Sequence, residues 1–283
     1  MVYGKIISFK ITKRGAIKHC MLLDFTNKNA RSWWADQFAL DKYEGSTLDL
    51  YTWNDMNEPS VFNGPEVSMQ KDVKAVDGQE HREWHNLYGM YFQRATAEGL
   101  MLRDANKRPF VLSRSFYAGS QRWGAVWTGD NAAQWSHLKQ AAPMLLSMSV
   151  CGLVFVGADA GGFFGDLDAE LMARWIQAAA YTPFFRGHAH HDAKRREPWS
   201  FGQPTTSYIR RAIADRYALL PYWYSVFAES RFSGLPVMRP LWAAAWKSTN
   251  GVEVMIQPYA RSAAKFDFHT HPHRRGRERA GLL

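Results

Sequence analysis

Apolar residues recur along this chain at two different spacings. Between Arg31 and Tyr43, residues Trp33, Trp34, Phe38 and Leu40 form a stripe at helical intervals, because positions three and four apart share a face. Leu87, Met90, Tyr91 and Arg94 keep the same step across Arg82 to Leu102. His137 to Ser149, Ala169 to Ala180 and a long aromatic-rich stretch from Tyr208 to Phe232 predict three further helices. Between them lie shorter apolar runs of strand length: Leu48 to Asn54, Pro109 to Leu112, Gly124 to Thr128, Leu153 to Gly157 and Tyr181 to Phe185. Strands alternating with helices predict a parallel sheet, and so an α/β fold. Glu58 to Gln79 reads as a long loop carrying Pro59 and Pro65. Loops of that length inside a compact domain usually serve function.

Every strand run ends on a polar group, at Asp55, Arg114, Asp130, Asp159 and His188. In a parallel α/β barrel the carboxyl ends of the strands hold catalytic groups rigidly while the loops admit substrate. Trp53 delivers Asp55, and Trp127-Thr128-Gly129 delivers Asp130. Two carboxylates on strand ends among tryptophans suit the cleavage of a glycosidic bond. A single aspartate after a strand is ordinarily a turn former or helix cap. No capping rule, however, demands the string Trp53-Asn54-Asp55-Met56-Asn57-Glu58-Pro59.

That string resembles the nucleophile signature of glycoside hydrolase family 31, the retaining α-glucosidases. Trp127-Thr128-Gly129-Asp130 is similarly placed to the family's general acid/base. The resemblance runs from about Asp24 to about Trp242. It implies Asp55 as nucleophile and Asp130 as acid/base, in a double displacement on terminal α-linked glucose. It further implies that Arg114, Asp159 and His188 bind sugar hydroxyls, and that Trp53, Met56, Trp127 and Phe185 wall the glucose pocket. Glu58, three residues past Asp55, is a rival nucleophile, expected to point away or to support its neighbours. On this likeness the chain is a partial TIM (β/α)8 barrel of about five βα units, the family's fourth to eighth strands. Residues 24–242 form the barrel segment, 1–23 an atypical amino-terminal segment and 243–283 an atypical basic tail. The substrate is an oligosaccharide, either an N-glycan or a glycogen-like chain. Lys194-Arg195-Arg196-Glu197-Pro198-Trp199 and Leu220-Pro221-Tyr222-Trp223-Tyr224 lean to the second. A regulatory β subunit is expected only if the chain is of the kind that trims N-glycans in the endoplasmic reticulum. An inactive truncated fragment or a sugar-binding module is the competing expectation.

Composition adjusts this picture at few points. At 283 residues and 46% apolar content the chain can bury a sizeable core, and 12 tryptophans suit both packing and sugar stacking. The charge of +9 raises nucleic-acid binding. Much of it, however, sits in Lys10 to Lys18 and in the tail with Arg274, Arg275, Arg277 and Arg279, which favours solvated ends and no nucleic-acid partner. Cys20 and Cys151 offer no disulfide framework, and Cys151 is expected to be a buried thiol. No apolar run of about 18 residues marks a membrane span, and Met1 to Lys18 lacks the apolar centre of a signal peptide. Gly157-Ala158-Asp159-Ala160-Gly161-Gly162 lacks the dinucleotide-binding spacing, and no cofactor is expected. His188, His190 and His191, like His269, His271 and His273 of the tail, raise a metal. A sugar-binding role for His188 without metal is the preferred reading.

Overall fold

The computed structural model describes residues 6–13, 16–62, 64 and 66–240; the predicted basic tail over 243–283 lies outside them. Two compact units divide the chain at Trp127/Thr128.

The first unit opens with an antiparallel hairpin, β1 (Ile6–Lys13) and β2 (Ala16–Leu23), within the segment expected to be atypical. Helix α1 (Lys28–Asp36) starts three residues before the expected Arg31 and ends seven before Tyr43, so Phe38 and Leu40 lie beyond it. Asn27 caps it, its side-chain oxygen accepting from the Asn29 and Ala30 amides at 2.8 and 3.2 Å. Strand β3 (Thr52–Asn54) is followed by the long loop, a short helix α2 (His81–Trp84), and α3 (Tyr88–Arg103). The single helix expected over Arg82 to Leu102 is thus broken by a 3₁₀ turn at His85–Leu87. Strands β4 (Val111–Ser113) and β5 (Ala125–Trp127) complete a parallel order β3-β4-β5. Gly89 lets α3 lie against the end of β4, since a Cβ there would fall 2.4 Å from Ser115 Oγ.

The long loop is built into this unit's core. Val61, Met69 and Ala75 are buried with Phe25, Trp84, Tyr88 and Ala95. Asp24, fully buried, accepts from Thr26 through one carboxylate oxygen and from the Val76 amide at 2.9 Å through the other. His81 anchors the loop's far end, donating its amide to Val73 O at 2.8 Å. Its ring is buried, with Nε2 2.7 Å from His85 Nδ1. Burial, and then the neighbouring His85, push the His81 pKa down from 6.5 to about 4. A histidine held neutral when folded is protonated first in the unfolded chain, so lowering the pH favours unfolding. The share of stability that depends on His81 is therefore expected to fall as pH drops from 6.5 toward about 4 and to level off below. In denaturant titrations across that window His81→Gln should flatten the slope; a wild-type slope in the variant would refute the assignment.

The second unit contains α4 (Trp135–Val150), β6 (Val156–Gly157), β7 (Asp159–Ala160), α5 (Ala169–Ala179), β8 (Arg186–Gly187), α6 (Thr205–Ala218) and α7 (Leu220–Ser233). Only Ala158 separates β6 from β7, so these two short strands fill one strand position. β7 pairs with β8 in parallel. Leu171, Trp175, Ile176, Ile209 and Ala212 form the core between α5 and α6.

Three expectations are corrected here. The strand expected over Tyr181 to Phe185 lies instead at Arg186–Gly187. Pro183 has no amide to give a ladder, and the carbonyls of Ala180, Thr182 and Pro183 are taken by the Arg216 guanidinium at 2.8, 2.7 and 3.1 Å. The long helix expected from Tyr208 to Phe232 is two, because Pro221 cannot continue the backbone ladder of α6 and instead occupies the first turn of α7. Cys151 is exposed: α4 ends at Val150, and the turn through Gly152 carries the thiol outward.

Candidate active site

Asp55 follows β3 directly and is half-buried. Met56 beyond it has φ +54°, a left-handed conformation that costs a non-glycine residue roughly 1–2 kcal/mol and clusters at functional sites. The bend is fixed by the Ser60 amide donating to Met56 O at 2.9 Å and the Met56 amide donating to Asp55 Oδ1 at 2.9 Å. Arg114 follows β4, and its amide continues the ladder to Asn54 O at 3.1 Å. Its guanidinium lies 3.1 Å from Asp55 Oδ1 and donates through Nε to Glu58 Oε1 at 2.7 Å. Arg114 therefore joins the two carboxylates that compete for the nucleophile's role.

Glu58 is committed elsewhere. It accepts from Ser60 Oγ at 2.5 Å as well as from Arg114. Burial alone would raise its pKa, but the hydrogen bonds from Arg114 and Ser60 and the arginine charge outweigh it and hold the carboxyl below its usual value. Beneath this trio Asn57 is buried and locks the two strand ends together. It donates to Ser113 Oγ at 2.8 Å and to Gly89 O at 3.4 Å, and accepts from the Ser115 amide at 3.0 Å.

Of the aromatic and sulfur side chains expected to wall the pocket, Trp53 and Met56 are exposed at the strand end. Trp127 is buried, with its ring edge-on to Trp53 at 6.5 Å. Phe185 packs against the α5–α6 core under Arg216, whose guanidinium lies 5.0 Å from the ring.

In the second unit Asp130 is exposed, three residues past β5. Asn131 beside it accepts from the Phe163 amide at 2.9 Å and donates to Asp159 O at 3.1 Å, holding this turn against the glycine-rich one. Asp159 is fully buried within β7 and paired with Arg186, whose Nη2 and Nε lie 2.8 and 3.2 Å from Oδ1. His188 follows β8, half-buried and tilted 5.2 Å from the Phe163 ring. This unit thus brings Asp159, Arg186, Asn131, Phe163 and His188 into one connected group. Asn57, Arg186, Asn131 and Arg216 were not singled out by sequence reasoning. Arg186 had the clearest signal, standing two residues before His188 on the same strand end.

Polar and acidic side chains at the carboxyl ends of parallel strands are the arrangement in which α/β barrels place their catalytic groups. The chain belongs to the glycosyl hydrolases of family 31, whose TIM-barrel domain matches residues 5–226. It is 58% identical over 255 residues to neutral alpha-glucosidase AB of Dictyostelium discoideum, covering 86% of this chain and 27% of that protein. Human neutral alpha-glucosidase C is 60% identical over 221 residues, with 78% and 24% covered. Among solved structures, the ER glucosidase II complex of catalytic subunit and regulatory-subunit binding domain superposes with a TM-score of 0.78 at 47% identity, covering 84% of this chain and 27% of that one. The chain spans about a quarter of the length of each of these proteins.

Proposed function

We propose that this chain carries the catalytic carboxylates of a retaining α-glucosidase that releases terminal α-linked glucose from oligosaccharides. Asp55 is the nucleophile and Asp130 the acid/base. The observation that carries the reading is Arg114 set against Asp55 at 3.1 Å while anchored on Glu58 at 2.7 Å. A nucleophilic carboxylate must be held in a fixed direction, and a guanidinium anchored on Glu58 holds Asp55 Oδ1 in place. Glu58, already bonded to Arg114 and Ser60, serves to aim the guanidinium rather than to attack.

In the first half-reaction Asp55 attacks the anomeric carbon while Asp130 gives its proton to the departing oxygen. In the second, Asp130 takes a proton from water, which attacks the same carbon and frees Asp55. In this reading Arg114, Asp159 and His188 bind hydroxyls of the glucose. Trp53, Met56, Trp127 and Phe185 are assigned to its walls. Barrel segment 24–242 carries this chemistry, and 1–23 and 243–283 lie outside it. No metal or cofactor enters the scheme.

The names of the similar proteins support an α-glucosidase, and the substrate is proposed as either an N-glycan or a glycogen-like oligosaccharide. A glucosidase II-like protein would work in the endoplasmic reticulum lumen with a regulatory β subunit, and otherwise in the cytoplasm. No nucleic-acid partner is proposed. Among the described residues no helix is long and apolar enough to cross a membrane.

Retention requires the carboxyl groups of Asp55 and Asp130 to stand about 5–5.5 Å apart. A crystal structure of the chain within a whole barrel, with a glucose-shaped inhibitor bound, should show that spacing. A separation beyond about 9.5 Å would exceed even the inverting range and end the shared-site assignment.

A further inference from the structure

Two residues past His188, the loop after β8 presents His190, His191 and Asp192, whose ligating atoms lie within 4.8 Å of one another. His190 Nδ1 is 3.4 Å from one carboxylate oxygen of Asp192, and His191 Nε2 is 3.3 Å from the other. Ligands held roughly 2.0–2.1 Å from a tetrahedral metal stand about 3.3 Å apart, so both separations match the edge of such a site. His190 is fixed before any ion arrives. Its amide donates to Phe163 O at 2.9 Å and its carbonyl accepts from the Ala193 amide at 3.0 Å. Its ring packs 5.5 Å from Phe163, 5.6 Å from Phe164 and 4.1 Å from His191. His190 Nδ1 accepts from the Asp192 amide at 3.3 Å. The lone pair of this nitrogen is thus engaged by the amide, and an ion bound there would displace that bond.

We propose that His190 Nδ1, His191 Nε2 and the Asp192 carboxylate form a surface site for a divalent transition-metal ion, zinc first. Two imidazoles and one carboxylate suit zinc, copper or nickel rather than magnesium or calcium, which take all-oxygen shells. His191 and Asp192 are 82% and 78% exposed, so water completes the coordination. The site does not include His188. A bound ion would tie down the loop that leaves the strand carrying His188.

Calorimetric titration of the full, chelator-treated chain with zinc chloride tests the proposal. His269, His271 and His273 offer rival donors, so the titration is made in an H269A/H271A/H273A background. One zinc per chain should remain there, with no comparable binding of magnesium. H191A and D192N should each weaken it by more than the roughly 10- to 100-fold that loss of an outer-shell partner costs. Both altered side chains lie mostly in solvent, and an unchanged circular-dichroism melt of each metal-free variant would confirm that the fold is kept. Zinc uptake that disappears with the tail histidines, or that H191A and D192N leave unchanged, would overturn the site.

Discussion

Asp55→Ala, introduced into this chain joined to the upstream strands of a family 31 relative, is expected to abolish hydrolysis of a fluorogenic α-glucoside, by about 10⁴-fold or more. The loss would be large because the role proposed for Asp55 is to form the covalent intermediate, and Glu58 is committed to Arg114 and Ser60. Glu58 is held below its usual pKa by hydrogen bonds that bind it to Arg114 and Ser60. Glu58→Ala should therefore reduce turnover less, through a misplaced Arg114, and should leave Asp55 able to trap a slow-reacting glucosyl fluoride. Labelling of Glu58 instead, or turnover that survives Asp55→Ala, would reverse the two roles. The same measurement on the 283-residue chain alone should give little turnover. The chain spans about a quarter of its relatives' length, so the sugar would meet both carboxylates without all the walls that hold it. Loose placement alone costs on the order of 100-fold. Robust turnover by the chain alone, lost in Asp55→Ala, would show that these segments suffice.

What the sequence made legible follows from which interactions are local. A strand ending on Asp55 or Arg114 was visible because an apolar run stops at a polar residue. The alternation of strands and helices likewise depends on periodicity within short windows. The networks that aim those side chains are not local. Asn57 meets Ser113 and Ser115 more than fifty positions away, and Arg216 reaches back over thirty to take the carbonyls before β8. Apolar content alone placed a strand at Tyr181 to Phe185 because it could not register that Arg216 would claim those carbonyls. Pro183 and Pro221 were the available signals, each removing an amide that a strand or helix would need. Asp192 went unremarked because an acid beside histidines is commonplace until its two oxygens are seen facing two different rings.

Asp159→Ala is expected to destabilise the second unit by about 3–5 kcal/mol, the range for removing one partner of a buried ion pair. Asp159 is wholly buried, and Arg186, whose side chain is 19% exposed, would keep its charge and lose this carboxylate. Asp159→Asn should cost less, because an amide oxygen can still accept from the guanidinium. Arg186→Met combined with Asp159→Ala should recover part of the loss, since the double change removes both charges. Denaturant unfolding of the four proteins distinguishes this from a purely ligand-binding aspartate, which would leave the unfolding midpoint unchanged. Both roles can coexist in one residue. A carboxylate that must bind a sugar hydroxyl in a fixed direction benefits from a partner that fixes it, and Arg186 sits on the adjacent strand two residues before His188. If the midpoint falls in Asp159→Ala and recovers in the double variant, the pair is structural first. The same rigid pair then positions β7 and β8, and with them the strand end from which His188 extends.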